Sequence, residues 1–182
     1  MRNMENIELA VEIIKNGGVI ICPTDTVYGL ICDATNKKAV AKVFKIKKRP
    51  KNKPLPIFIK DLKMAKELAQ IDEKQEKFLR KVWPGAVTVI LKSRKQKDKT
   101  IGLRIPNYKL LLGLAEQLNR PLTGTSANLS GQPASGNIKK VLKQFENQKY
   151  QPDLVIDAGN LPKSKPSKII DLTVCPPKIL RP

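Results

Sequence analysis

The chain has 182 residues, 41% hydrophobic and 28% charged, which is enough for one domain with a real core and too apolar for a disordered segment. Lys plus Arg number 35 against 16 Asp plus Glu, and the formal charge of +19 favours polyanionic partners such as nucleic acid or nucleotide phosphates. There is no histidine, which excludes histidine triads, histidine general bases and most catalytic zinc sites.

No apolar run approaches membrane-spanning length, and Met1-Arg2-Asn3-Met4-Glu5 lacks a signal peptide's apolar core, so a cytoplasmic protein with no membrane partner is expected. Cys22, Cys32 and Cys175 fit no disulfide framework and no zinc spacing, and read as reduced core or near-core thiols.

In chain order, Ile7, Val11 and Ile14 give residues 5–16 an amphipathic helical period that stops at Asn16-Gly17-Gly18. A β-branched strand follows over 18–22 and ends at Pro23, which cannot donate to a ladder. Thr24, Asp25 and Thr26 then put two hydroxyls and a carboxylate at a strand end, where open α/β sheets bind ligands. A second short strand lies near 28–32. Asn36 caps a helix whose apolar face is Ala39, Val40, Val43, Phe44 and Ile46, and Pro50 puts Lys47-Lys48-Arg49 at its end.

Leu55–Lys60 reads as a strand, Asp61 caps a helix through Leu68, and Asp72 with Gln75 reads as a capping box for a helix ending near Trp83. Ala86–Leu91 and Thr100–Ile105 are strands around the basic loop 92–97. Asn107 is the expected cap of a helix carrying Leu110, Leu111, Leu114 and Leu118. Pro121–Thr125 leads into a small-residue loop over 126–136, then a basic amphipathic helix over 137–146. Strands are expected at Leu154–Ile156, Lys168–Leu172 and Lys178–Leu180, with 158–167 as a surface loop. Some strand pairs lack room for a crossover helix, which predicts an open, twisted, mixed parallel and antiparallel sheet with packed helices in one domain over 1–182.

Three stretches carry candidate chemistry. Lys37–Lys53 holds nine basic residues and no acid. Most of these suit a solvated helix face, but Lys47, Arg49 and Lys53 cluster beside prolines, a point charge and a fork suited to a polyphosphate. Thr125-Ser126-Ala127-Asn128-Leu129-Ser130-Gly131, continuing to Ser135-Gly136, allows close backbone approach, and its amides suit an anion-binding nest. Arg104-Ile105-Pro106 puts an arginine at a strand end, where it could clamp a carboxylate. Ser167 and Arg181 are uninformative alone. Neither the Walker A nor the dinucleotide fingerprint is present.

Pro23-Thr24-Asp25-Thr26-Val27-Tyr28-Gly29-Leu30, Lys47-Lys48-Arg49-Pro50, Pro54-Leu55, Trp83-Pro84-Gly85, Arg104-Ile105-Pro106 and Ser126-Ala127-Asn128-Leu129-Ser130-Gly131 occur in this order. The series closely resembles the YrdC/TsaC family of threonylcarbamoyl-AMP synthases, in its short, single-domain form. The resemblance implies a YrdC-like fold with a basic concavity. It also implies an ATP-dependent nucleotidyltransferase that joins L-threonine, bicarbonate or CO2, and ATP into threonylcarbamoyl-AMP and pyrophosphate. Downstream threonylcarbamoyl-transferase proteins then modify tRNA. It assigns Lys47, Arg49, Ser126 and Asn128 to the catalytic core, with Lys53, Thr100, Ser135 and Arg181 also at ATP. Thr26, Arg104, Gly124 and Ser167 fall at threonine. Mg2+ is expected to arrive with ATP, because no dedicated carboxylate cage is visible.

Two departures stand out: Phe58 lies where many longer members carry a histidine, and Lys168 follows Ser167 where a threonine is usual. Two other readings are carbamoyl-adenylate chemistry and a non-catalytic module binding double-stranded RNA or tRNA. The charge supports the latter, but aromatics make up only 4% of the chain and show no stacking platform.

Overall fold

The computed structural model describes residues 2–182, with side chains from Ile7 onward. Helix α1 (Arg2–Lys15) buries Val11 and Ile14 as its period requires. It stops at Gly17, whose φ of 82° belongs to the left-handed region, and the Gly18 amide closes the last turn on Ile13 O at 2.8 Å. β1 (Ile20–Cys22) and β2 (Gly29–Ile31) pair antiparallel around the polar turn 23–28. Helix α2 (Lys37–Lys47) starts at Asn36, whose side chain accepts from Lys38 and Ala39 amides, and ends at Lys48 in the left-handed conformation.

The next strand, β3, is only Ile57–Phe58. The expected span from Leu55 is shortened because Pro54 and Pro56 have no N–H to give a ladder. Helix α3 (Leu62–Leu68) is capped by Asp61, and α4 (Glu73–Val82) carries the full Asp72–Gln75 capping box. β4 (Val87–Lys92) and β5 (Thr100–Arg104) form an antiparallel pair. Helix α5 (Lys109–Leu118) buries Leu111, Leu114 and Leu118. Its N-cap is Tyr108, not Asn107, and makes no side-chain cap bond. Asn107 instead gives its amide to Asp25 Oδ2 at 3.0 Å, which holds it outside the helix.

β6 (Leu122–Thr123) and β7 (Thr125–Ser126) flank Gly124. Helix α6 (Ile138–Phe145), β8 (Leu154–Val155), β9 (Lys168–Asp171) and β10 (Lys178–Arg181) complete the chain.

The strands divide between two mixed sheets where one was expected: four strands in the order β7-β2-β1-β8 and six in the order β10-β9-β4-β5-β3-β6. Three pairs are parallel, β1 with β8, β3 with β5 and β4 with β9. The division falls at Gly124, on either side of which β6 and β7 join different sheets. The Gly124 amide donates to Pro56 O at 2.7 Å, while the Thr123 amide reaches Cys32 O at 2.9 Å and keeps the sheets joined.

Each sheet buries apolar side chains against helices. One cluster joins α1 and α5 through Ile14, Ile20, Leu114 and Leu122. A second joins α2 and α6 through Ile21, Leu30, Val43 and Phe145. A third lies under α3 and α4 around Ile59, Leu79, Val89 and Leu103. Cys22 and Cys32 are core thiols, but Cys175 is exposed, in the turn between β9 and β10. No helix among the described residues is long and apolar enough to cross a membrane.

Candidate active site

The β1–β2 turn, the start of β3, the end of β5, the β6–β7 junction and the β9–β10 pair converge on a cleft of about 200 Å³. Its lining includes Thr26, Arg49, Phe58, Arg104, Gly124, Ser126, Ser167 and Arg181. Elements far apart in sequence therefore bring seven of the twelve expected site residues, with Phe58, to one place.

Three of the seven are arginines, and each is fixed by its neighbours. Arg49, just beyond α2, donates from Nε to Lys53 O at 2.9 Å and from Nη2 to Pro54 O at 3.0 Å. Arg181, on β10, donates from Nε to Ser167 O at 2.8 Å and from Nη2 to Ser167 Oγ at 3.1 Å. Arg104, at the end of β5, is 3% exposed; its Nε donates to Gly85 O at 2.8 Å and its Nη2 to Asp25 Oδ1 at 2.5 Å. Burial pushes the Arg104 guanidinium's pKa down, the Asp25 carboxylate pulls it back up, and the charge of Arg181 pushes it down again. Asp25 also accepts the Asn107 amide, so it braces the turn against both the end of β5 and the start of α5.

Hydroxyls alternate with the arginines. Thr26 Oγ1 lies 3.1 Å from Thr24 Oγ1, and Thr24 Oγ1 donates to Val27 O at 2.7 Å, which closes the turn on itself. Ser167 Oγ meets the buried Thr88 Oγ1 at 3.1 Å. Phe58 packs its ring under Gly124, where a Cβ would meet three ring atoms at 3.0 to 3.1 Å, and lies 5.6 Å from the Arg104 guanidinium.

Lys47 and Asn128 stand behind the cleft wall. Lys47 is 2% exposed, and its ammonium donates to Ser126 O at 2.5 Å, Asn128 O at 2.9 Å and Asn128 Oδ1 at 3.0 Å. Burial, with a smaller push from the charge of Arg49, lowers its pKa to about 7. Three acceptors use all three donors of an ammonium, so Lys47 is not the free point charge that its place in the basic run suggested. Asn128 is equally occupied. Its Oδ1 also accepts from Ser126 Oγ at 2.6 Å, and its Nδ2 donates to Leu129 O at 2.9 Å and Gln132 O at 2.7 Å.

The same bonds correct the nest reading of this loop. The amides of Ala127, Asn128, Leu129, Ser130 and Gln132 all donate within the protein, to Tyr28 O, Ser126 O, Gln144 Oε1, Lys47 O and Leu129 O. They are therefore committed to internal acceptors, and the loop presents the Ser126 side chain to the cleft.

Two expected ATP contacts lie away from the cleft lining. Thr100 is exposed and pairs with Lys92 at the opposite end of β5 from Arg104. Lys53 is exposed and contributes its carbonyl to Arg49. Ser135 lines an adjoining pocket with Thr26 and Val27, accepts the Asn137 amide on Oγ at 3.0 Å, and accepts the Tyr28 amide on its carbonyl at 3.2 Å. Lys168 opens β9 with an exposed side chain.

Nothing in the sequence signals the bracing role of residues 158–167. Fully buried Tyr28 donates its hydroxyl to Gly159 O at 2.8 Å and accepts the Ala158 amide at 2.9 Å, while Ser164 Oγ donates to Thr26 O at 2.7 Å. The expected loop is thus a strap fastened to the polar turn.

A model of the Sua5/YciO/YrdC family, described as telomere recombination, matches residues 12–182. A Methanocaldococcus jannaschii relative is 39% identical over 165 residues, covering 87% of this chain and 76% of its own. The Pyrococcus abyssi protein named threonylcarbamoyl-AMP synthase is 33% identical over 184 residues, covering 97% of this chain and 53% of its own, so the chain spans about half of that relative. The solved structure of P. abyssi Sua5 complexed with L-threonine superposes with a TM-score of 0.89 at 33% identity, over 97% of this chain and 53% of that one. The crystal structure of Escherichia coli YciO, a protein named uncharacterized, superposes with a TM-score of 0.86 at 32% identity, over 97% of this chain and 88% of that one.

Proposed function

The chain belongs to the Sua5/YciO/YrdC family, and from that premise and the chemistry of the cleft we propose that it is an L-threonylcarbamoyladenylate synthase. The substrates are L-threonine, bicarbonate or CO2, and ATP; the products are threonylcarbamoyl-AMP and pyrophosphate. The observation that carries this reading is the convergence of Arg49, Arg104 and Arg181 with Ser126 and Ser167 on one cleft that no carboxylate lines among the described residues.

In the proposed reaction a carbamate oxygen attacks the α-phosphorus of ATP and pyrophosphate leaves. Such a transfer needs alignment and charge neutralisation more than a protein nucleophile, which suits a histidine-free site. Arg104 is the candidate for the amino-acid carboxylate, flanked by the hydroxyls of Thr26 and Ser167. Arg49, Arg181 and Ser126 are the candidates for the phosphates. Lys47 and Asn128 fix the carbonyl and hydroxyl of Ser126.

The enclosed volume of about 200 Å³ suits an amino acid and part of a polyphosphate, while pockets that swallow a drug-sized ligand run to roughly 300–1,000 Å³. The nucleoside would extend beyond it, toward the adjoining pocket of Ser135. Among the described residues no cluster of three metal-ligating side chains exists, so Mg2+ would enter on the phosphates of ATP and keep water ligands.

The wider role we propose is supply of the adenylate, in the cytoplasm, to the transferase proteins that modify tRNA. The charge of +19 also supports weak, salt-sensitive contact with tRNA or double-stranded RNA. The test is pyrophosphate release. Release that requires threonine and bicarbonate together supports the synthase, while RNA binding with no such release supports the non-catalytic reading. Release with carbamoyl phosphate, which supplies the carbamate on loss of its phosphate, and without threonine or bicarbonate points to carbamoyl-adenylate chemistry.

A further inference from the structure

The three cleft arginines are fastened in the same way. In each, Nε and Nη2 are committed to protein acceptors, and Nη1 has no partner among the described residues. Arg181 is exposed, and no buried side-chain N or O of the less exposed described residues lacks a hydrogen-bond partner, so all three Nη1 groups reach solvent on residues that line the cleft.

The arginines differ in what fastens them. Arg49 and Arg181 are held by neutral oxygens, those of Lys53, Pro54 and Ser167, and keep their full charge. Arg104 is held by a carboxylate, in an ion pair whose side chains are only 3% and 12% exposed. Asp25 is the sole carboxylate that touches any of the three among the described residues, and it does not line the cleft.

We infer that Asp25 is a positioning residue that determines which anion each arginine takes, turning the Arg104 subsite toward one amino-acid carboxylate and away from phosphate. The inference rests on the synthase reading above. A phosphate or pyrophosphate carries more than one negative charge and finds the charge of Arg104 already offset by Asp25, in surroundings where charge is poorly screened. An amino acid arrives as a zwitterion. Its carboxylate meets the open Nη1 of Arg104, and its ammonium is attracted to the same Asp25. Arg49 and Arg181 have no such carboxylate behind them and remain for the polyphosphate. Without Asp25 the cleft would hold three equivalent cations, and pyrophosphate would occupy the amino-acid position.

The experiment is calorimetric titration of nucleotide-free protein with L-threonine and with inorganic pyrophosphate, singly and in competition. The wild type is expected to bind both, with the threonine Kd unchanged by pyrophosphate. Asp25→Asn should weaken threonine by about tenfold or more, the scale of removing one partner of a buried charge pair, and should make pyrophosphate a competitor. Asp25→Ser provides a second neutral side chain should the Asn variant not fold. Asp25→Glu keeps the charge on a longer stem, so it should weaken threonine while still excluding pyrophosphate. Neutral variants that lose threonine and gain no competition would make Asp25 a mere brace and overturn the inference, as would unchanged threonine binding. A wild type that binds pyrophosphate but no threonine would overturn the synthase reading itself, and this inference with it.

Discussion

The ammonium of Lys47 lies 2.9 Å from Asn128 O and 3.0 Å from Asn128 Oδ1, so the last residue of α2 holds the loop after β7 from beneath. The contact joins two stretches about eighty residues apart, and it makes Lys47 a support of the cleft wall.

The pKa of Lys47 is lowered to about 7 in the fold, against about 10.4 for a free lysine. Between those values the unfolded chain holds a proton at this site that the native chain does not, so this group makes stability rise with pH across that window and contributes no slope well below 7. Thermal melts of wild type and Lys47→Met from pH 6 to 10 test this. The wild type should gain on the variant as pH rises past 7; a constant difference would mean that Lys47 stays charged throughout.

Arg49→Ala should lower adenylate formation by roughly two to three orders of magnitude, the effect of removing one preorganised donor to developing charge. It also removes the bonds to Lys53 O and Pro54 O. Arg49 is half-buried, so the stability loss should be about 1 kcal/mol. Arg49→Lys should restore only part of the activity, because it keeps the charge and loses the fork. Pyrophosphate release beside a melt reads both, and full activity in the Ala variant would remove Arg49 from the site.

Gly124→Ala should act through Phe58. The new methyl meets the ring at 3.0 to 3.1 Å and must push it toward Arg104 and the cleft. The threonine KM should rise several-fold with little change in the KM for ATP. Adding Phe58→Leu should recover much of the loss by making room, and failure of that double variant would place the fault in the backbone at Gly124.

Tyr28→Phe removes the hydroxyl that holds the strap at Gly159 O and the Ala158 amide. A partly buried carbonyl and amide lose their partner, at a cost of about 1 kcal/mol for each bond. Limited trypsin digestion should cut the variant faster after Lys163 than the wild type. An unchanged cleavage rate there would show that the Ser164 bond to Thr26 O holds the strap without Tyr28.

Amino-acid choice offers a further check. If Arg104 takes the carboxylate and Thr26 or Ser167 meets the substrate hydroxyl, valine should be turned over far less than threonine, because its methyl leaves a polar group unpaired. Equal kcat/KM for the two amino acids would remove hydroxyl recognition from the site.

Local chemistry alone determined where several helices begin. Asn36, Asp61 and the Asp72–Gln75 pair cap the helices that they mark, since capping depends on residues within one turn. The ordered motifs likewise pointed to the family and to Thr26, Arg49, Arg104 and Ser126 in the cleft, and the family resemblance added Ser167 and Arg181. Only the tertiary structure decided the direction and occupancy of each polar group. In sequence Lys47 and Arg49 are two similar cations two residues apart; in the fold one is saturated by three oxygens and the other opens into the cleft. Asn107 looked like a helix cap until Asp25 took its amide, and 158–167 looked free until Tyr28 and Ser164 fastened it. These outcomes depend on acceptors distant in sequence, and a buried donor goes to whichever oxygen the packing brings within reach.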